Sequence, residues 1–186
     1  MIHSLPFAPS ASWYNSYLSR LRGENNKSVS EEAMIVSHPN RCVIRDISGN
    51  RLTLTIPVEG GGRILRNVKD LRRIKLSDHG NWRHVHLGAF DACYGRAPYY
   101  PYLINGLKEI YNSPFETLHD FNHAIHRLIM TFLYGETDKS EILKHRNNPI
   151  VKERGEELSE EIEPDISLLD PLMNLGRETL IWFTVG

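Results

Sequence analysis

Two short runs with apolar residues at every second position, joined by a turn, constrain the fold of this 186-residue chain most. In the first run Cys42 and Ile44 alternate with Val43 and Arg45, in the second the apolar residues of 52–56 alternate with two threonines, and a Ser-Gly-Asn turn at 48–50 separates the runs. Successive side chains of a strand point to opposite faces, so each run has one wholly apolar face. The pattern predicts a β-hairpin with one buried face, whose second strand ends at Pro57.

Helical periodicity dominates the second half of the chain. Apolar residues recur every three or four positions in three segments, 102–111, 118–132 and 166–185, as expected for helices that pack one face on a core. In the first half we predict a helix from about Ser10 to Leu21. Further short strands are predicted at 1–5, 33–36 and 71–76.

These elements predict an α+β fold. At 186 residues the chain has the length of a single domain covering residues 1–186, with a small mixed sheet in the N-terminal half and packed helices in the C-terminal half. Hydrophobicity falls and charge rises over about 136–164. We expect that region to be a charged, loosely ordered connection.

The net charge of −1 conceals an uneven distribution. Residues 41–96 hold 11 Lys and Arg against 5 Asp and Glu, whereas residues 136–178 hold 6 against 12. A basic middle attracts phosphate, a nucleotide-linked sugar or nucleic acid. The alternative is that the acidic tail lies across the basic middle, and charge blocks are more often paired or solvated in this way.

The compartment is predicted from what the sequence lacks. No apolar run approaches the ~20 residues of a membrane helix, and the N-terminus has no signal-peptide pattern. Two cysteines without a secretory signal favour a reducing compartment. We therefore expect a cytoplasmic protein without a membrane span. The sequence leaves its oligomeric state open.

Three histidines and two arginines surround one predicted helix within residues 77–100. Asn81 is the predicted N-cap, and the i, i+4, i+7 spacing of Val85, Ala89 and Ala92 predicts the buried face. His86 then falls on the flank of that face, near Arg83. Imidazole suits a general base or a phosphate contact, and a structural histidine is the equal alternative.

Other candidate sites are weaker. Arg41 follows Asn40 at the start of a strand and has the fork geometry that phosphate and carboxylate prefer. The glycine-rich residues 59–63 lack a phosphate-loop spacing and are interpreted as a flexible turn.

His119 and His123 have metal-ligand spacing on the face opposite the apolar stripe, so we predict no metal and no cofactor. Basic residues without a recognisable reading element disfavour nucleic acid.

Six motifs in order carry a family resemblance that covers most of the chain to about Leu133 and resumes at the tail. They are His3-Ser4-Leu5-Pro6-Phe7-Ala8-Pro9 followed by Trp13-Tyr14, Asn40-Arg41-Cys42-Val43-Ile44, Leu54-Thr55-Ile56-Pro57-Val58, Trp82-Arg83-x-x-His86, Tyr94-x-x-x-Pro98-Tyr99-Tyr100 and Ser167-Leu168-Leu169-Asp170-x-Leu172-x-Asn174-x-Gly176. Together they are similar to the WbqC-like family, bacterial proteins of O-antigen and related gene clusters without an established biochemical activity.

The resemblance implies a site and a function class. Its polar motif residues are expected to converge on one cleft, with His86 and His3 as catalytic residues and five ligand-binding residues, Asn40, Arg41, Trp82, Arg83 and Tyr94. The implied function is a transferase acting on sugar-nucleotide or lipid-linked precursors of surface polysaccharide. The alternative is a non-enzymatic protein that binds an anionic small molecule such as a nucleotide-linked sugar.

One departure from the family pattern bears on this choice. Family members carry Lys and an aromatic residue before the Asn-Arg element, where this chain has Met-Ile-Val-Ser-His-Pro at 34–39. A site that needs the missing Lys would be impaired, which keeps both the enzyme and the non-catalytic binder as hypotheses.

Overall fold

An antiparallel hairpin and a set of packed helices form the fold. The computed structural model describes residues 5–21, 37–66, 70–135 and 149–185. The strands are β1 (Arg41–Arg45) and β2 (Arg51–Thr55). The helices are α1 (Ala11–Leu21), α2 (Trp82–Tyr94), α3 (Tyr100–Asn112), α4 (Leu118–Tyr134), α5 (Pro149–Glu161), α6 (Leu169–Leu175) and α7 (Thr179–Val185). Short 3₁₀ turns cover Ile64–Arg66, Leu71–Arg73, His79–Asn81 and Gly176–Glu178.

The predicted hairpin and the α+β class are confirmed. Cys42 pairs with Leu54 across the antiparallel ladder, and both side chains are buried on the face that packs on the core. The turn is held by the Asp46 carboxylate, which accepts hydrogen bonds from the amides of Ser48 and Asn50 at 2.8 Å each. By strand alternation, the opposite face of the hairpin carries Arg41, Val43 and Thr53.

The predicted strand at 71–76 is wrong over its first half. Leu71–Arg73 forms a 3₁₀ turn because the Asp70 side chain caps it, accepting a bond from the amide of Arg72. Only Lys75 and Leu76 make isolated bridges, to Thr117 and Val58 respectively. The predicted strand at 33–36 and residues 1–4 of the strand predicted at 1–5 lie outside the described residues, and Leu5 is not part of a strand.

Helix α5 occupies residues 149–161 of the region for which we expected a loose connection, and residues 136–148 lie outside the described residues. It packs along α7. Leu158 is fully buried, and Arg154 forms a 3.0 Å ion pair with Glu178. The charged composition of this segment therefore belongs to the solvent side of a packed helix.

The buried face of α2 differs from the predicted one. Val85 is 58% exposed, and Ala92 is also exposed. The helix instead buries four large side chains spaced by four residues, Trp82, His86, Phe90 and Tyr94. Large aromatic side chains remove more apolar area from water than Val and Ala, so their stripe determines the orientation. Asn81 has φ 48° and makes no side-chain cap bond.

Gly176 ends α6 in a left-handed backbone conformation, and an alanine in this conformation would destabilise the fold. Its φ is +60°, and a Cβ at this position would lie 2.4 Å from Cε1 of Tyr99. The amide of Tyr99 also donates to the carbonyl of Met173 at 3.0 Å, which holds the ring against α6. Gly176→Ala is expected to lower the free energy of unfolding by about 2–4 kcal/mol, measured by chemical denaturation.

Gly88→Ala is the matched control for this substitution. Gly88 lies on the exposed side of α2, and a Cβ added there would have open space within 4 Å. Alanine has the higher helix propensity, so this variant should be unchanged or more stable by up to ~1 kcal/mol. Equal destabilisation of both variants would contradict the account of Gly176.

Candidate functional site

A pocket of about 360 Å³ lies on the outer face of the hairpin. Its lining combines an apolar wall with a few polar groups, which is typical of small-molecule sites. The lining residues are Pro6, Phe7, Ala8, Pro9, Ser10, Trp13, Ser37, His38, Arg41, Cys42, Val43, Thr53, Asp165 and Ser167.

Backbone hydrogen bonds between distant segments build the pocket. The amide of Ser167 donates to the carbonyl of Val43 at 2.7 Å, and the amide of Leu168 donates to that of Pro9 at 2.9 Å. Ser10 and Ser167 form an antiparallel bridge. The N-terminal segment, the hairpin and the segment before α6 therefore enclose one space.

Asn122 of α4 connects the N-terminal segment of the pocket to the segment that precedes β1. Its side chain is fully buried, and Nδ2 donates to the carbonyls of Leu5 at 2.8 Å and Pro39 at 3.0 Å. The carbonyl of Pro39 also accepts the amide of Phe7 at 2.9 Å. Through these two bonds Asn122 positions the N-terminal segment against the residues that precede Arg41.

Two opposite charges in the pocket have no side-chain partner among the described residues. Arg41 and Asp165 both line it, and both are exposed. Within the described ranges, neither side chain has a hydrogen bond or an ion pair, and the two do not pair with each other within 4.0 Å. Their hydrogen-bonding capacity is available to a ligand. The third ionisable group is His38, whose Nδ1 lies 3.0 Å from Oγ of Ser37.

Asn40 is buried beneath the pocket and is not part of its lining. Its Nδ2 donates to the carbonyl of Ile56 at 2.8 Å, and its own backbone carbonyl accepts the Ile56 amide at 2.9 Å. These two bonds close the open end of the hairpin. Asn40 thus fixes the start of β1, from which Arg41 projects.

Trp82 and Arg83 lie together at the start of α2, outside the pocket lining. The indole Nε1 of Trp82 donates to the carbonyl of Ser77 at 2.9 Å. The guanidinium of Arg83 lies 4.6 Å from the Trp82 ring centroid and donates to the carbonyl of Tyr111 at 2.7 Å. That carbonyl lies in the last turn of α3, where a cation interacts favourably with the helix dipole.

His86 is enclosed in the core, 3% exposed, with its ring stacked on Phe7 at 5.8 Å. Nε2 lies 3.2 Å from the carbonyl of Thr55, and Nδ1 lies 3.0 Å from the hydroxyl of Tyr111. Since a carbonyl only accepts, Nε2 carries the proton and Nδ1 accepts from Tyr111. Burial lowers the pKa of His86 from 6.5 to about 4, against a smaller opposing effect of the Thr55 bond. Both ring nitrogens are used within the protein.

Tyr94 joins three elements at the other end of α2. Its hydroxyl donates to Oδ1 of Asp170 at 2.8 Å and accepts the amide of Arg45 at 3.2 Å. Arg45 in turn forms an ion pair with Asp170, whose side chain is 3% exposed. Burial, followed by the charge of Asp170, raises the pKa of Tyr94. The hydroxyl is a buried hydrogen-bond bridge.

Of the predicted site residues, the structure places Arg41 in this pocket. It does not bring Asn40, Trp82, Arg83, His86 or Tyr94 into the lining. His3 lies outside the described residues.

Trp13, His38, Asp165 and Ser167 are among the lining residues that the sequence-based prediction did not name as site residues. Trp13, His38 and Ser167 had a usable signal, because they lie in motif segments or next to one. No local pattern marks Asp165, which reaches the pocket through tertiary contacts alone.

The rings of His119 and His123 lie with their centroids 4.2 Å apart and their planes tilted by 41°. Nδ1 of His119 lies 3.1 Å from the carboxylate of Asp120, which also accepts the Thr117 hydroxyl. Among the described residues no group of three or more His, Cys, Asp or Glu is placed to hold a metal ion.

Comparison with known proteins identifies a family and nothing finer. The model of the WbqC-like protein family matches residues 36–153, which is more than half of the chain. No curated protein and no solved structure matches the chain. In the described part of the chain, no helix is long and apolar enough to cross a membrane.

The burial of His86 predicts a loss of stability in acid. A histidine whose pKa falls from 6.5 to about 4 on folding binds its proton more readily in the unfolded chain. Its stabilising contribution is complete above pH 6.5 and is lost as the pH falls towards 4. The free energy of unfolding should decrease by roughly 3 kcal/mol over this window, measured by urea denaturation at several pH values.

His86→Gln supplies the comparison, because glutamine cannot titrate. The variant should be less stable at pH 7, and the acid-dependent part of the loss should disappear. A pH profile parallel to that of the unmutated protein would show that other groups cause the effect.

Proposed function

Because the chain belongs to the WbqC-like protein family, we propose that it binds a phosphate-bearing sugar precursor of surface-polysaccharide (O-antigen) biosynthesis. The precursor is nucleotide-linked or lipid-linked, and the proposed site is the pocket on the outer face of the hairpin. Cys42 and Cys93 are both free thiols, in keeping with a reducing compartment. We place the protein in the cytoplasm.

The unpaired guanidinium of Arg41 is the observation that carries this proposal. Arg45 and Arg51, its neighbours on the hairpin, form ion pairs with Asp170 and Glu163, whereas Arg41 faces the pocket without a partner in the described residues. Guanidinium binds phosphate through paired, charge-assisted hydrogen bonds. The hydroxyl of Thr53, which is also a lining residue, can supply a further donor.

Removal of this guanidinium is expected to weaken ligand binding. A hydrogen bond to a charged group contributes about 1.5–3 kcal/mol, and 1.4 kcal/mol corresponds to one decade of affinity. Arg41→Ala should therefore raise the Kd for UDP-glucose, or for another sugar nucleotide that binds, by roughly tenfold or more in calorimetric titrations.

Arg73→Ala is the control. Arg73 is also exposed and lies outside the pocket lining, so its loss removes the same charge without touching the proposed site. Equal Kd values for the two variants would place the ligand elsewhere and refute the site.

A transferase that uses the same pocket is the second candidate, and His38 favours it. The imidazole lines the pocket beside Arg41, and its Nδ1 is bonded to Ser37. Nε2 has no partner in the part of the chain that the structure describes. An imidazole so oriented is suited to remove a proton from an acceptor hydroxyl while Arg41 holds the leaving phosphate.

His38→Ala separates the enzyme from the binder. For a transferase, the rate of nucleoside diphosphate release should fall by about 10²–10⁴ while the Kd for the sugar nucleotide changes little. His3→Ala and His86→Gln, assayed in parallel, test the two catalytic residues that the family motifs indicate. Unchanged turnover in His38→Ala would exclude its catalytic role, and absence of turnover in the unmutated protein would favour the binder.

A further inference from the structure

We propose that the pocket recognises the sugar-phosphate part of its ligand, with phosphate at Arg41 and sugar hydroxyls at Asp165. The nucleoside or lipid part then extends out of the pocket. This inference rests on the proposed function and adds the chemical class and orientation of the ligand.

The orientation of the ligand follows from two charges of opposite sign that have no partner among the described residues. Arg41 projects from β1, and Asp165 belongs to the segment that crosses the hairpin before α6. They line one pocket without pairing within 4.0 Å, and neither bonds to any other described residue. A simple anion would satisfy Arg41 and would be repelled by Asp165. A ligand that satisfies both must be anionic at one end and must donate hydrogen bonds at the other.

Sugar hydroxyls meet the second requirement. An ionised carboxylate only accepts hydrogen bonds, so Asp165 selects donors. A sugar ring presents several hydroxyl donors beside its phosphate. The hydroxyl of Thr53, an exposed residue of the same lining, can donate and accept and so complements the remaining ring oxygens.

The size of the pocket limits how much of the ligand it holds. Its volume of about 360 Å³ is near the lower end of the ~300–1,000 Å³ of ligand sites. That space suits one sugar ring with its phosphate better than a complete nucleotide sugar. Trp13, the tryptophan among the described lining residues, is 5% exposed and so offers little face to a stacked base.

Asp165→Asn tests the orientation with glucose 1-phosphate, galactose 1-phosphate, N-acetylglucosamine 1-phosphate and inorganic phosphate as separate probes. Amide substitution keeps the shape and removes the acceptor charge. The Kd of the sugar phosphate that binds best should rise about tenfold or more, since hydrogen bonds to a charged acceptor are lost. Inorganic phosphate should bind equally or more tightly, because a like charge is removed. Arg41→Ala should weaken both.

Asp78→Asn is the control, since Asp78 is exposed, makes no cap bond and lies outside the lining. Thermal melts confirm that each variant is folded. If Asp165→Asn changes sugar phosphate and inorganic phosphate alike, or neither, the proposed orientation is overturned.

Competition experiments separate this inference from the proposed function. Displacement of UDP-glucose by glucose 1-phosphate at lower concentration than by uridine monophosphate supports the inference, and the reverse order overturns it while the function stands. Farnesyl-diphosphate-linked glucose in the same assay distinguishes a lipid-linked from a nucleotide-linked source. If no sugar nucleotide, lipid-linked sugar or sugar phosphate binds in an Arg41-dependent way, the proposed function itself fails.

Discussion

The arrangement of the site depends on the ion pair and the hydrogen bond that the buried carboxylate of Asp170 makes with Arg45 and Tyr94. A charge that is 3% exposed must be paired, or it destabilises the fold by several kcal/mol. Its partners, Arg45 and Tyr94, belong to β1 and α2, so the pairing draws the start of α6 against the hairpin. Ser167, three residues earlier, then bonds to Val43, and Asp165 comes to lie in the pocket.

The two faces of the hairpin have different neighbours, so one face packs on the core and the other lines the pocket. One face buries Cys42 and Leu54 in the core, where α2 meets the hairpin backbone through His86 and the Thr55 carbonyl. The other face carries Arg41 into the pocket. A site holds its geometry when the element that carries it is locked by packing on the far side. The prominent Trp-Arg-x-x-His motif of α2 supplies this support in the structure.

The uneven charge of the chain is explained by its tertiary contacts. Glu163 and Asp170 of the acidic tail pair with Arg45 and Arg51 of the basic middle, so the tail does lie across the hairpin. Arg41 is left without a carboxylate among the described residues. Pairing with the acidic tail therefore accounts for Arg45 and Arg51, whereas the attraction of an anionic ligand by Arg41 stays a prediction.

Local periodicity alone determined the hairpin, its turn, the extents of α1, α3 and α4 and the α+β class, because strand alternation and helical spacing are properties of neighbouring residues. It did not determine which face of α2 is buried, since a stripe of small apolar residues and a stripe of aromatic residues both fit a helix. The core selected the aromatic stripe and enclosed His86 with it. Nor did sequence place Asp165 in the same pocket as Arg41. Hydrogen bonds between segments more than 100 residues apart, such as Ser167 to Val43, decide that proximity, and no local pattern specifies them.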